Sequence, residues 1–147
     1  DAWAVVPETV ELGGTVRTFS KPVQTLVEQR MQKIAESICR ANDCELIWHY
    51  EKRYPATVNS EKETRVALAA AQDVCGGDAV DPNVDMVTGS EDFGYMLEER
   101  PGCYAFIGNG PGEGGCMLHS PTFDFNDEIT PIGASYWVKI VEKVLGQ

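Results

Sequence analysis

Thr9-Val10-Glu11-Leu12-Gly13-Gly14-Thr15-Val16-Arg17-Thr18 sets Val10, Leu12, Gly14 and Val16 against Glu11, Gly13, Thr15 and Arg17, the period of two that marks a strand with one buried face. Behind it Ser20 stands as a helix cap and Pro22 suits a first turn, after which Val23, Leu26, Val27, Met31, Ile34 and Ile38 recur at helical spacing. Asn42-Asp43 supplies a turn, and Cys44, Leu46, Trp48 and Tyr50 then alternate with Glu45, Ile47, His49 and Glu51. Strand, helix and strand in that order imply a right-handed crossover with the helix laid over one face of a sheet. The expected fold class is therefore α/β.

Tyr54-Pro55 ends this unit, because proline cannot serve a ladder and pushes the residue before it out of helical geometry. The expected division is residues 1–53 and residues 54–147. In the second part, Ser60 and Glu63 read as a capping box before a helix with Val66, Ala67, Ala69, Ala70 and Val74 on its apolar side, closed by Gly76-Gly77. Ser90 precedes Glu91 and Asp92 at the start of a short helix through Phe93, Met96 and Leu97. Cys103 to Ile107 reads as a short buried strand. Gly108 to Gly115 is a glycine-rich loop without the lysine of a phosphate-binding loop. Thr130-Pro131 opens a last helix carrying Ile132, Tyr136, Trp137, Ile140, Val141 and Val144.

The 147 residues are 43% hydrophobic and 24% charged, enough apolar material for a packed core. Twenty-three acidic against 12 basic side chains give a net charge of -11, which repels phosphate backbones and anionic lipid and argues against nucleic acid as a partner. No apolar run approaches the roughly 18 residues that span a bilayer, so no membrane partner is expected. The five cysteines are odd in number and lack the paired short spacings of structural zinc sites. Free thiols in a reducing compartment, hence the cytoplasm, are the expectation.

Of two histidines, His49 sits in a strand-like stretch and reads as a surface residue. His119 lies between the glycine-rich loop and the acid-rich turn Asp124-Phe125-Asn126-Asp127-Glu128. It is either a hydrogen-bonded loop histidine or, beside acids, a metal ligand or general base. Asp124 and Asp127 then stand as groups that orient it. Cys116 is three residues away and offers shared zinc ligation as one alternative, and a Cys-His nucleophilic pair using Cys103 or Cys116 is another. Glu91 and Asp92, with Ser90 beside them, are either helix-start acids or groups that orient a ligand or bound water from the edge of a cleft.

Four stretches in order carry a resemblance: Val5-Val6-Pro7 with Glu11-Leu12-Gly13-Gly14-Thr15-Val16-Arg17, then Tyr54-Pro55-Ala56-Thr57-Val58-Asn59, then Gly89-Ser90-Glu91-Asp92-Phe93, and finally Leu118-His119-Ser120-Pro121 through Phe123-Asp124-Phe125-Asn126-Asp127-Glu128 to Pro131-Ile132-Gly133-Ala134. Together they resemble the metal-dependent amidohydrolases and peptidases that include hippurate hydrolase, N-acyl-L-amino-acid amidohydrolases and indoleacetyl-amino-acid hydrolases. One departure is Ala4, where family members commonly carry asparagine.

The resemblance implies a catalytic domain interrupted by a small α/β lid that carries a homodimer contact. Residues 1–53 would be the second half of that lid, and 54–147 the C-terminal part of the α/β metallohydrolase domain. It implies hydrolysis of the amide bond of N-acyl amino acids with two divalent metal ions, zinc foremost, manganese or nickel as alternatives. His119 matches the last metal ligand, while the other ligands and the general base belong to a catalytic segment upstream of Asp1 in such proteins. Arg17 matches an arginine that serves either substrate or an ion pair. The expectation is a fragment that supplies one ligand, binds metal weakly and is inactive alone. The alternative is a non-catalytic dimerisation or binding module derived from the same scaffold.

Overall fold

The computed structural model describes residues 3–110 and 117–146. The chain divides into two compact units, Asp1–Arg53 and Tyr54–Gln147. Among the described residues the regular elements are four α-helices, α1 (Lys21–Ala41), α2 (Glu61–Cys75), α3 (Phe93–Glu99) and α4 (Thr130–Leu145), and two 3-10 turns at Gly77–Ala79 and Asp127–Ile129.

This overturns the α/β expectation, for the lid and for the catalytic part alike: no β-strand occurs among the described residues. Alternation in sequence specifies which face of a strand is buried, but a strand also needs a neighbour to take its backbone N–H and C=O groups. The Thr9–Thr18 and Cys44–Glu51 stretches have the first property without the second. In the latter the alternation survives as burial alone: Leu46, Trp48 and Tyr50 are half-buried, Ile47 is 89% exposed, and the Trp48 and Tyr50 rings stack at 6.1 Å.

In the first unit α1 starts after Ser20 with proline in its first turn, yet the Ser20 hydroxyl makes no capping bond. The helix keeps its apolar stripe largely uncovered, with Leu26, Ile34 and Ile38 at 55, 55 and 58% exposure. Its half-buried side is Gln24, Val27, Glu28, Gln32, Ala35 and Cys39. An ion pair of 2.6 Å between Lys52 and Glu28 ties the segment before Tyr54 back to α1.

The second unit is built on α2 against α4. Ala67 and Ala70 are buried in that contact, where small side chains let two helices approach, and Ile129 is buried immediately before α4. Lys143 reaches Asp73 at 2.7 Å between the two helices. That hydrogen bond holds the Asp73 carboxyl below its ordinary range, against a smaller opposing effect of desolvation. Gly76, at φ 80, ends α2 in a conformation that side chains rarely adopt.

Candidate metal-ligand loop and its surroundings

The expected capping box at Ser60 does not form. The Ser60 hydroxyl is turned to the backbone N–H of Gly102 at 3.2 Å, and Ser60 donates its own N–H to the Gly102 carbonyl at 2.9 Å. Next to it, Asn59 Nδ2 donates to the Tyr104 carbonyl and Asn59 Oδ1 accepts the Tyr104 N–H, both at 2.8 Å. One side-chain amide thus does for Tyr104 what a neighbouring strand would do, which is why Cys103–Ile107 is held in place without a ladder.

Tyr104 is also the centre of an aromatic row, its ring 5.5 Å from both Phe93 and Phe106. Burial first, then the charge and hydrogen bond of Glu91 and the charge of Asp92, push its phenol above the ordinary value of 10.0. The phenol therefore keeps its proton near the carboxylate of Glu91, which is half-buried. Asp92 is the N-cap of α3, without a side-chain capping bond, and Ser90 is exposed. The structure so brings Glu91, Asp92 and Tyr104 together. The sequence carries no signal for Tyr104, because only its nearness to Glu91 in space, not in the chain, makes it relevant.

His119 is exposed and has a left-handed backbone at φ 70, a conformation that is uncommon outside glycine and costs stability. A turn fixes it: Ser120 donates its N–H to the Met117 carbonyl at 3.1 Å, and Phe123 donates to the Ser120 carbonyl at 3.0 Å. Beyond the turn Asn109 clamps the acid-rich segment. Its Nδ2 donates to the Asp124 carbonyl at 2.9 Å, and its Oδ1 accepts the Asn126 N–H at 2.9 Å. Asn126 returns a bond from Nδ2 to the Asn109 carbonyl at 3.1 Å and accepts the Glu128 N–H at 3.0 Å. Asp124 and Asp127 are exposed, Asp127 at the start of a 3-10 turn. The signal for the clamp lay in two asparagines at turn positions, Gly108-Asn109-Gly110 and Phe125-Asn126-Asp127.

Arg17, in the first unit, donates from Nη1 to the carbonyl of its own neighbour Val16 at 3.3 Å. His49 is exposed. Cys116 and residues 111–115 of the glycine-rich loop lie outside the described residues, so both alternatives that paired His119 with Cys116 do too.

Residues 4–143 match the model of peptidase family M20/M25/M40. The chain belongs to this family. It is 29% identical to the hippurate hydrolase of Campylobacter jejuni over 98% of its own length and 37% of the relative's. Against the N-acetyl-L-cysteine deacetylase of Bacillus subtilis the figures are 35% identity over 92% and 31%. Against IAA-amino acid hydrolase ILR1-like 4 of Arabidopsis thaliana they are 28% over 98% and 34%. The chain spans about a third of the length of these curated relatives. No solved structure matches it.

Enzymes of this family generally use divalent metals. Among the described residues, no three His, Cys, Asp or Glu side chains gather closely enough to hold an ion. A catalytic ion needs about three protein ligands and an open position, so a single exposed imidazole does not fit a two-ion donor set. No helix is long and apolar enough to cross a membrane among the described residues.

Proposed function

We propose that this chain is part of a metal-dependent amidohydrolase that hydrolyses the amide bond of N-acyl amino acids, and that it supplies one metal ligand, His119, to a site completed by residues outside it. The observation that carries the reading is the family match across residues 4–143, which includes His119 and both of its flanking segments. The names of the relatives, a hippurate hydrolase and an N-acetyl-L-cysteine deacetylase, support N-acyl amino acids as the substrate class. The left-handed backbone of His119 supports it as well, since a strained position that keeps an imidazole is better explained by a task than by stability.

On this reading Asn109 and Asn126 fix the acid-rich segment that follows the His119 turn, while Asn59 fixes Tyr104 beside Glu91. Asp1–Arg53 is the second half of the lid, and its exposed Leu26, Ile34 and Ile38 belong to a homodimer contact. Asp124, Asp127, Ser90 and Asp92 remain candidates for orienting groups. Zinc is the first ion to test, followed by manganese and nickel.

The test is hydrolysis of hippurate and N-acetyl-L-cysteine by the full product of the gene that encodes this chain, with each of the three ions added. Amide cleavage that a chelator removes is expected. Absence of turnover on every N-acyl amino acid tried, in a folded and metal-loaded protein, would instead favour the non-catalytic dimerisation or binding module.

A further inference from the structure

We propose that Cys39 and Cys44 close a reversible disulfide across the C-terminal end of α1, which makes this helix end a redox-responsive modification site. The inference is independent of the proposed hydrolase activity. Both thiols are free; Cys39 is half-buried and Cys44 exposed.

The helix terminus brings them together. Cys44 donates its N–H to the Cys39 carbonyl at 2.9 Å, and Asp43 donates to the Arg40 carbonyl at 3.5 Å, with Asp43 in the left-handed region at φ 54. This pair of bonds is the reversal that ends many helices, and it characteristically places the side chains of its outer two residues in contact. Had the helix run on, residues five apart would be separated by about 7.5 Å of axial rise, beyond the ~4.4–6.8 Å between Cα atoms that a disulfide accepts. The reversal removes that separation. Asn42 pins the same turn from a second direction, donating from Nδ2 to the Ile38 carbonyl at 2.9 Å. The exposed Cys44 Sγ lies 3.3 Å from the Asn42 carbonyl.

A low-molecular-weight disulfide such as oxidised glutathione is the oxidant. The thiolate of the exposed Cys44 attacks one sulfur of that disulfide, expels one glutathione thiolate and leaves a mixed disulfide. The Cys39 thiolate then attacks Cys44 Sγ, forms the intramolecular bond and expels the second glutathione. Two protein thiols are oxidised, one glutathione disulfide is reduced to two thiols, and the two protons given up by the cysteines are taken by the expelled thiolates. The closed ring staples the end of α1 to the segment that carries the half-buried Leu46, Trp48 and Tyr50.

The experiment uses the 147-residue chain in glutathione buffers of rising oxidised fraction, followed by alkylation, proteolysis and mass spectrometry. The expected product is a Cys39–Cys44 cross-link lighter by two hydrogens and reversed by excess reduced glutathione. Cys39→Ser should trap glutathione on Cys44, because the resolving thiol is gone. Asp43→Gly, which keeps the left-handed turn, should still close, whereas Asp43→Pro should not, with helix content followed by circular dichroism. Glutathione remaining on Cys44 in the unsubstituted chain would overturn the proposal. So would a bond to Cys75, Cys103 or Cys116 in place of Cys39, or two cysteines that stay reduced in fully oxidised glutathione.

Discussion

Asn109 and Asn126 hold each other by a reciprocal pair of bonds, backbone N–H to side-chain oxygen at 2.9 Å and side-chain NH₂ to backbone carbonyl at 3.1 Å, across 17 residues of chain. Such a pair fixes two loop positions to each other. Asn109→Ala removes the bonds to both Asp124 and Asn126 and should cost about 1–3 kcal/mol at roughly 1 kcal/mol per bond. A double-mutant cycle with Asn126→Ala, read by urea denaturation, should return a coupling of about 0.5 kcal/mol or more. Additive costs would mean that the two amides act separately.

Gly94 is buried in α3, and a Cβ there would lie 2.8 Å from the Pro55 carbonyl oxygen and 3.2 Å from the Pro55 ring. The close atom is backbone, which cannot swing aside. Gly94→Ala should therefore destabilise the Tyr54–Gln147 unit by about 1–3 kcal/mol as an overpacked contact, although alanine is the better helix former. A midpoint of urea unfolding equal to or above that of the unsubstituted chain would contradict the close approach.

The raised ionisation of Tyr104 sets an alkaline limit. Folded, its phenol holds the proton above the ordinary 10.0 through burial and the carboxylates of Glu91 and Asp92. In the unfolded chain it ionises near its usual value. The stabilisation is thus fully present below pH 10 and is lost as pH rises through the folded value. Tyr104→Phe, which keeps the ring row with Phe93 and Phe106, should flatten the fall of stability above pH 10, measured by denaturant midpoints from pH 8 to 11. An unchanged slope would contradict a raised ionisation of Tyr104 in the folded chain.

Local patterns were legible in the sequence where their physics is local. Pro22 and the apolar repeat to Ile38 foreshadow α1 at Lys21–Ala41, and Gly76 and Pro131 mark the end of α2 and the start of α4. The strands were misread because alternation at Val10–Val16 and Leu46–Tyr50 reports a preference for facing, while a ladder depends on a neighbour that the segment itself does not encode. Ser60 has the composition of a capping box, but the backbone of Gly102, 42 residues on, competes for its hydroxyl. In the site, His119 and the acids around it could be picked out as residue types. Asn109 and Asn126 stand at turn positions, but their pairing across 17 residues does not show in the sequence, and the roles of Asn59 and Tyr104 likewise arise from pairs distant in the chain.

Leu26, Ile34 and Ile38 lie along one side of α1 and remain more than half exposed. Apolar rows of that kind mark interaction surfaces more often than solvent-facing ones. If they form the dimer contact, light scattering should show association that strengthens with salt, because screening relieves the repulsion of two chains of charge -11. Replacing each by serine should weaken it roughly tenfold per side chain. A monomer at every concentration and salt level would exclude the contact.

The most direct test of the central claim compares hippurate hydrolysis by the 147-residue chain alone and by the full product of its gene, each with His119 intact and as His119→Ala, in the presence of zinc, manganese or nickel. The account predicts no turnover by the chain alone, turnover by the full product, and loss of that turnover in its His119→Ala form with folding preserved. Turnover by the chain alone that disappears with His119→Ala would contradict the incomplete donor set. Full activity of the His119→Ala gene product would contradict the assignment of His119 as the ligand.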